Sequence, residues 1–242
     1  MDQRRLRTRL CFLAVIALPL AYLAVAWFSS KRLEFQASSH VGIGELQEAA
    51  TVIELRLATF GFQNARVRVH RAGRLRVTYD NGQAVDDETT SKLVTSPGRF
   101  FFGLVSLNNR EVLSKTQTSR VVTYGSEEYR ILIPIHPNGA DLKVGPPPAK
   151  LGPSSTLLRL DLGPADSQWL RDLTSTKYMN RHLVVGVDDS VLLFAGIAGQ
   201  LDGHITLEFE DKKELEFFEA ILTGGRLPDG VLLERSTRGW FF

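Results

Sequence analysis

Asp161, Asp166, Asp188, Asp189 and Asp202, with His182 and His204, are the side chains here whose types could hold a divalent cation or activate a water. Such a site needs imidazole nitrogens and carboxylate oxygens converging at ligand spacing. These residues follow no ligand motif, and Asp188-Asp189 sits where a chain reversal would use acidic turn residues. Asp188→Ala is therefore expected to be mildly destabilising through its turn, and no metal or cofactor is expected. Ser154, Ser155, Ser190 and Ser236 lack the Gly-x-Ser-x-Gly setting that presents a nucleophile. Cys11 is the single cysteine, which excludes an intrachain disulfide; it reads as a small hydrophobe at the start of an apolar run. An enzyme is not the expectation.

Arginine spacing carries a second candidate chemistry. Arg66, Arg68, Arg74 and Arg76 alternate with Val67, Val69, Leu75 and Val77, which predicts a β-hairpin with one basic face. A solvated sheet face is the plain reading; contact with anionic lipid or an acidic partner is the functional one. Aromatics for base stacking are missing apart from Tyr79, so nucleic acid is not expected. The 242 residues carry 29 basic and 27 acidic side chains, so the whole-chain field favours no polyanion.

The elements that must position these residues follow from periodicity. Residues 1–30 read as a membrane anchor or signal segment. Arg4, Arg5, Arg7 and Arg9 precede an uncharged run from Leu10 to Ser30, just long enough to span a bilayer. Ala24-Val25-Ala26 leaves cleavage open as the alternative. Residues 31–106 predict β-α-β-β-α-β, a ferredoxin-like order. It has a helix along Leu46, Ile53 and Leu57 ended by Gly61, a second helix over Asp86–Thr95, and a final strand over Arg99–Val105. Residues 107–155 hold a strand pair and a proline-rich connector from Pro137 to Ser155. Residues 156–225 form a second small α+β unit with a hairpin around Asp188-Asp189-Ser190 and a helix opened by Asp211 and Glu214. Residues 226–242 are a return strand and tail. The fold class expected is α+β.

Two stretches carry a family resemblance. One runs from Arg159 to Leu233, including Leu183-Val-Val-Gly-Val-Asp-Asp-Ser-Val-Leu-Leu, Ile197-Ala-Gly-Gln-Leu-Asp-Gly-His and Gly225-Arg-Leu-Pro. The other is the helix Ala50-Thr-Val-Ile-Glu-Leu-Arg-Leu-Ala-Thr-Phe-Gly-Phe, with an arginine five positions before a glycine. Together they resemble the first periplasmic domain of SecD, of the SecDF protein-export family, with its base and protruding head. Asp189-Ser190 and Gly196 depart from the family's usual Asp-Gly and proline.

The resemblance implies an exported, non-catalytic domain on the periplasmic side of a bacterial inner membrane, held by a single pass. Its implied partners are exported polypeptide or a membrane-protein partner such as a translocase subunit. Phe194, Ile197 and Leu201 are the implied polypeptide contacts. Gly224, Gly225, Leu227 and Pro228 are expected to form a base–head hinge allowing at least two head orientations. The family's further membrane helices have no counterpart before Phe242, so no proton-driven motor is expected within the chain. The alternative is an envelope structural or assembly protein that reuses the fold.

Overall fold

Apolar stripes and local caps account for the helices. The computed structural model describes residues 30–70, 73–80, 86–107, 117–134, 141–145 and 156–236. Strand β1 (Ser30–Ala37) leads into helix α1 (Ile43–Thr59), which buries Leu46, Ala49, Ala50, Ile53, Arg56 and Leu57 along one face. Glu45 accepts the Gly42 N–H at 2.7 Å to close the α1 N-terminus, and Gly61 (φ 98°) ends it. Strands β2 (Arg66–His70) and β3 (Arg74–Asp80) follow, then α2 (Asp87–Thr95), capped by Asp86 accepting from Thr89 N at 2.6 Å.

After α2 come β4 (Phe100–Val105), β5 (Gln117–Tyr124), β6 (Glu127–Pro134), β7 (Lys143–Gly145) and β8 (Leu157–Asp161). Helix α3 (Pro164–Leu173) starts on a proline, which suits its first turn. The hairpin β9 (His182–Val187) and β10 (Ser190–Gly196), β11 (His204–Glu208), α4 (Lys212–Gly224) and β12 (Leu233–Arg235) complete the order. Asp211 caps α4, accepting from Glu214 N at 2.8 Å.

The class is mixed α+β with several antiparallel sheets. Their strand orders are β12-β1-β3-β2, β10-β9-β4-β6-β5 and β11-β8-β7. This corrects one expectation about the first block. Its last strand, expected over Arg99–Val105, does not close the first sheet: β4 lies between β9 and β6 instead, and β12 takes the place beside β1. The reason is the side-chain pattern. Phe100, Phe101, Phe102 and Leu104 are all buried, so the strand needs cover on both faces and occupies a sheet centre. In β12 only Leu233 is buried, beside exposed Glu234 and Arg235, which fits an edge. A second correction concerns the connector: Lys143–Gly145 within it forms β7 and pairs with β8.

The expected membrane segment lies outside the described residues except Ser30, which begins β1. Among the described residues no helix is long and apolar enough to cross a membrane.

One hydrophobic cluster runs from Leu33 and Phe35 through Ile53 and Phe102 to Leu160, Leu207 and Ile221, so all three sheets share it. A smaller cluster of Phe101, Val122, Ile131 and Val184 fills the other face of the five-stranded sheet.

Asp87 fastens the first sheet. Its carboxylate accepts from Lys31 Nζ at 3.1 Å and Tyr79 Oη at 3.2 Å, and meets Arg235 Nη2 at 3.3 Å. The Lys31 hydrogen bond leads in holding the Asp87 carboxyl below its ordinary range, against partial desolvation. The folded value is below the unfolded one, so this stabilisation is complete above the ordinary aspartate range and lost as pH falls through the folded value. Asp87→Asn should lower the melting temperature at neutral pH and flatten its fall in acid. Melts in a descending pH series check this, and an unchanged acid slope would refute it.

Candidate functional site

The contact candidates separate. Strand alternation along β10 turns Leu193 and Ala195 to one side and Phe194 to the other. Leu193, Ala195, Ile197 and Leu201 line a groove of about 440 Å³ whose far wall is Ile205 and Thr206 of β11. Ile197 is buried and fixes the loop: its N–H donates to Arg181 O at 2.8 Å, and its carbonyl accepts from Asn180 N at 3.3 Å. Leu201 is 37% exposed at the groove mouth, with its N–H on Thr174 Oγ1 at 2.9 Å. Gln200 Nε2 reaches Arg171 O at 3.3 Å. The loop is thus anchored to the end of α3 while offering an apolar side chain outward.

Phe194 sits elsewhere. Its ring stacks on Tyr124 with centroids 4.8 Å apart and planes at 6°, and contacts Tyr129 and His182 at 4.8 and 5.0 Å. Tyr124 belongs to β5, so this stack joins the two edge strands of the five-stranded sheet. Arg120 on β5 reinforces the join by pairing with Asp189. Phe194 therefore spends its apolar surface on its own sheet.

The basic-face candidates lie together on the outer side of the first sheet. Arg66, Arg68 and Arg74 are exposed, and Arg68 stands opposite Arg76 in the β2–β3 register. Like charges in directly opposed positions repel. Glu34 offsets this by accepting from Arg76 Nε at 2.9 Å and Nη2 at 2.8 Å.

Of the hinge candidates, Gly224 and Gly225 meet a side chain with no role expected from the sequence, Arg56, and Leu227 and Pro228 follow directly in the chain. It is fully buried. Its Nη1 donates to Leu93 O at 3.1 Å and Ser96 O at 2.5 Å, and its Nη2 to Pro97 O at 3.4 Å and to Gly225 O. These are carbonyls at the ends of α2 and α4, where helix dipoles favour a cation. Burial pulls the guanidinium down to about 10, partly opposed by Asp188, so it stays charged at neutral pH. Gly224 and Gly98 make room: a Cβ on Gly224 would overlap Arg56 Cγ, and one on Gly98 would overlap Arg56 Nη2. Leu227 is buried, and its N–H donates to Pro97 O at 2.8 Å. Rotation at this point requires breaking those bonds.

Asp188 makes a second fastening. It holds φ 54° in the β9–β10 turn. Its carboxylate accepts from Gly98 N at 3.0 Å, Arg99 N at 2.8 Å and Ser96 Oγ, and its own N–H donates to Arg99 O at 2.9 Å.

No protein-family profile matches the sequence, and no curated protein matches it. Solved structures do. "Crystal structure of SecDF in Super-membrane-facing form" superposes with a TM-score of 0.62 at 18% identity, covering 97% of this chain and 35% of that one. "Structure and function of a membrane component SecDF that enhances protein export" gives 0.57 at 14% identity, covering 87% of this chain and 100% of that one. The chain has a SecDF-type fold. It spans about a third of the length of the first of these structures, and identities this low establish fold alone.

Within the SecDF-type fold, the arginine that carried part of the sequence resemblance is the clamp itself. A charged residue on the apolar stripe between Ile53 and Leu57 was the available signal for it. The cation-site candidates remain dispersed. Asp161 pairs with Arg159 at 2.8 Å, Asp189 with Arg120, and His204 Nδ1 lies 3.2 Å from Asp202 O. Among the described residues no group of three or more His, Cys, Asp or Glu converges on a metal position.

Proposed function

We propose that this chain binds exported polypeptide, or a translocase or envelope partner, through the apolar groove at Ile197 and Leu201. The observation that carries the reading is that groove, anchored by backbone bonds yet open at Leu201, on a SecDF-type fold. One of the SecDF structures it matches is described as enhancing protein export. Apolar clefts with few polar groups suit side-chain capture, and capture requires no bond chemistry of the chain's own. In this reading the first sheet with α1 and α2 is a ferredoxin-like base, and the remaining sheets form the head. The segment preceding β1 holds the whole on the extracytoplasmic side of a bacterial inner membrane. Gly224 to Pro228 mark the base–head junction, and the exposed Arg66, Arg68 and Arg74 of β2–β3 present positive charge to an anionic neighbour.

Site-specific photocrosslinking tests the contact. A photoreactive residue at position 201 should capture a secretory chain or translocase subunit in cells. The same residue at Phe194, committed to Tyr124, should capture little. Equal yields at both positions, or none at 201 in folded protein, would overturn the reading.

A further inference from the structure

We propose that a second groove, between α2, the β9–β10 turn and α4, binds cationic polypeptide segments in which lysine or arginine alternates with apolar residues. The groove has a volume of about 760 Å³. Its floor is apolar, built from Phe60, Val187, Phe217 and Phe218, and Phe217 is only half-buried. Apolar surface left open in a concavity marks an interaction site.

The walls determine the partner. Six carboxylates against two lysines line the groove, a formal charge of −4 in a chain whose net charge is +2. Asp86 and Asp211 cap the two helices that begin here, Asp189 stands at the turn, and Glu214 and Glu216 rise from α4. The positive ends of α2 and α4 offset part of this charge. Asp188 is turned into its hydrogen bonds with Ser96, Gly98 and Arg99. The remaining carboxylates flank the floor, Asp189 paired with Arg120 and Glu216 with Lys212 at 3.4 Å, and the acidic excess of the lining attracts counter-charged ligands. A segment alternating apolar and basic side chains satisfies floor and walls together. An acidic segment would meet repulsion on both walls. This surface is separate from the Leu201 groove and does not depend on it.

The test uses the full chain and two fluorescently labelled peptides, one alternating lysine with leucine and one alternating glutamate with leucine, followed by anisotropy at low salt. The lysine peptide should bind at least about tenfold tighter than the glutamate peptide, the preference shrinking at high salt. Glu216→Lys should weaken it by about fivefold, and Lys213→Glu should strengthen it by about threefold. Lys213 is exposed and Glu216 half-exposed on α4, where it pairs with Lys212 at 3.4 Å, so melting curves of both variants accompany the binding series. Leu201→Ser should leave this binding unaltered while abolishing capture at the other groove. Equal affinity for the two peptides, indifference to both α4 changes, or loss in Leu201→Ser would each overturn the proposal.

Discussion

Arg56→Ala is expected to destabilise the folded chain by about 4 kcal/mol, a large fraction of the stability of a typical domain. The substitution removes a buried cation and strands the carbonyls of Leu93, Ser96 and Gly225, which have lost this donor inside a protein interior, while Pro97 O keeps the Leu227 N–H. Each unsatisfied buried acceptor costs about 1–3 kcal/mol. Partial collapse and entering water reduce the sum. The glycines that make room for Arg56 add a void once it is gone. Arg56→Lys should recover only part of the loss, because an ammonium is a point donor and cannot bridge the ends of α2 and α4 as a planar fork does. Urea unfolding of the three proteins is the measurement. A loss below about 1 kcal/mol in Arg56→Ala would show that the carbonyls find other partners and that Arg56 fastens nothing.

The ionisation of Arg56 sharpens this expectation. Its folded value is held at about 10, below its ordinary one, chiefly by desolvation. Between those two values the unfolded chain binds more protons, so this group makes stability rise with pH there. At neutral pH the full desolvation cost is present, and the carbonyl bonds are what offset it.

Local chemistry was legible in the sequence, and partner choice was not. The stripe of Leu46, Ile53 and Leu57, the cap at Asp211 and the stop at Gly61 are each written within a few residues of the helix they shape. The placement of β4 depended on which strand it met. Phe100-Phe101-Phe102 shows no alternation, so nothing local distinguished the edge of one sheet from the centre of another. Leu233–Arg235 is too short to display a period at all. At the groove, Phe194, Ile197 and Leu201 are near neighbours in the chain, yet strand alternation sends Phe194 to the opposite side. Arg56 belonged to the quoted motif, but its role depends on Gly225, 169 residues away.

Asp188→Ala is expected to cost about 2–3 kcal/mol, well beyond the loss of a turn residue, because its carboxylate accepts from groups about ninety positions earlier in the chain. Glycine at the same position separates the two roles. Asp188 holds φ 54°, a conformation glycine adopts without strain. If the residue served its turn alone, Asp188→Gly would be neutral or stabilising. If the carboxylate ties the β9–β10 hairpin to the segment after α2, the glycine variant should lose stability nearly as alanine does. The same tie governs movement. Spin labels at Ser91 on α2 and Glu208 on β11, with Cys11 replaced by serine, should give one narrow distance distribution in the otherwise native chain. Asp188→Gly should broaden it, since hinge motion begins where fastening bonds are lost. A glycine variant as stable as the parent, with an equally narrow distribution, would return Asp188 to the rank of a turn residue and leave Arg56 as the tested fastening between the two regions.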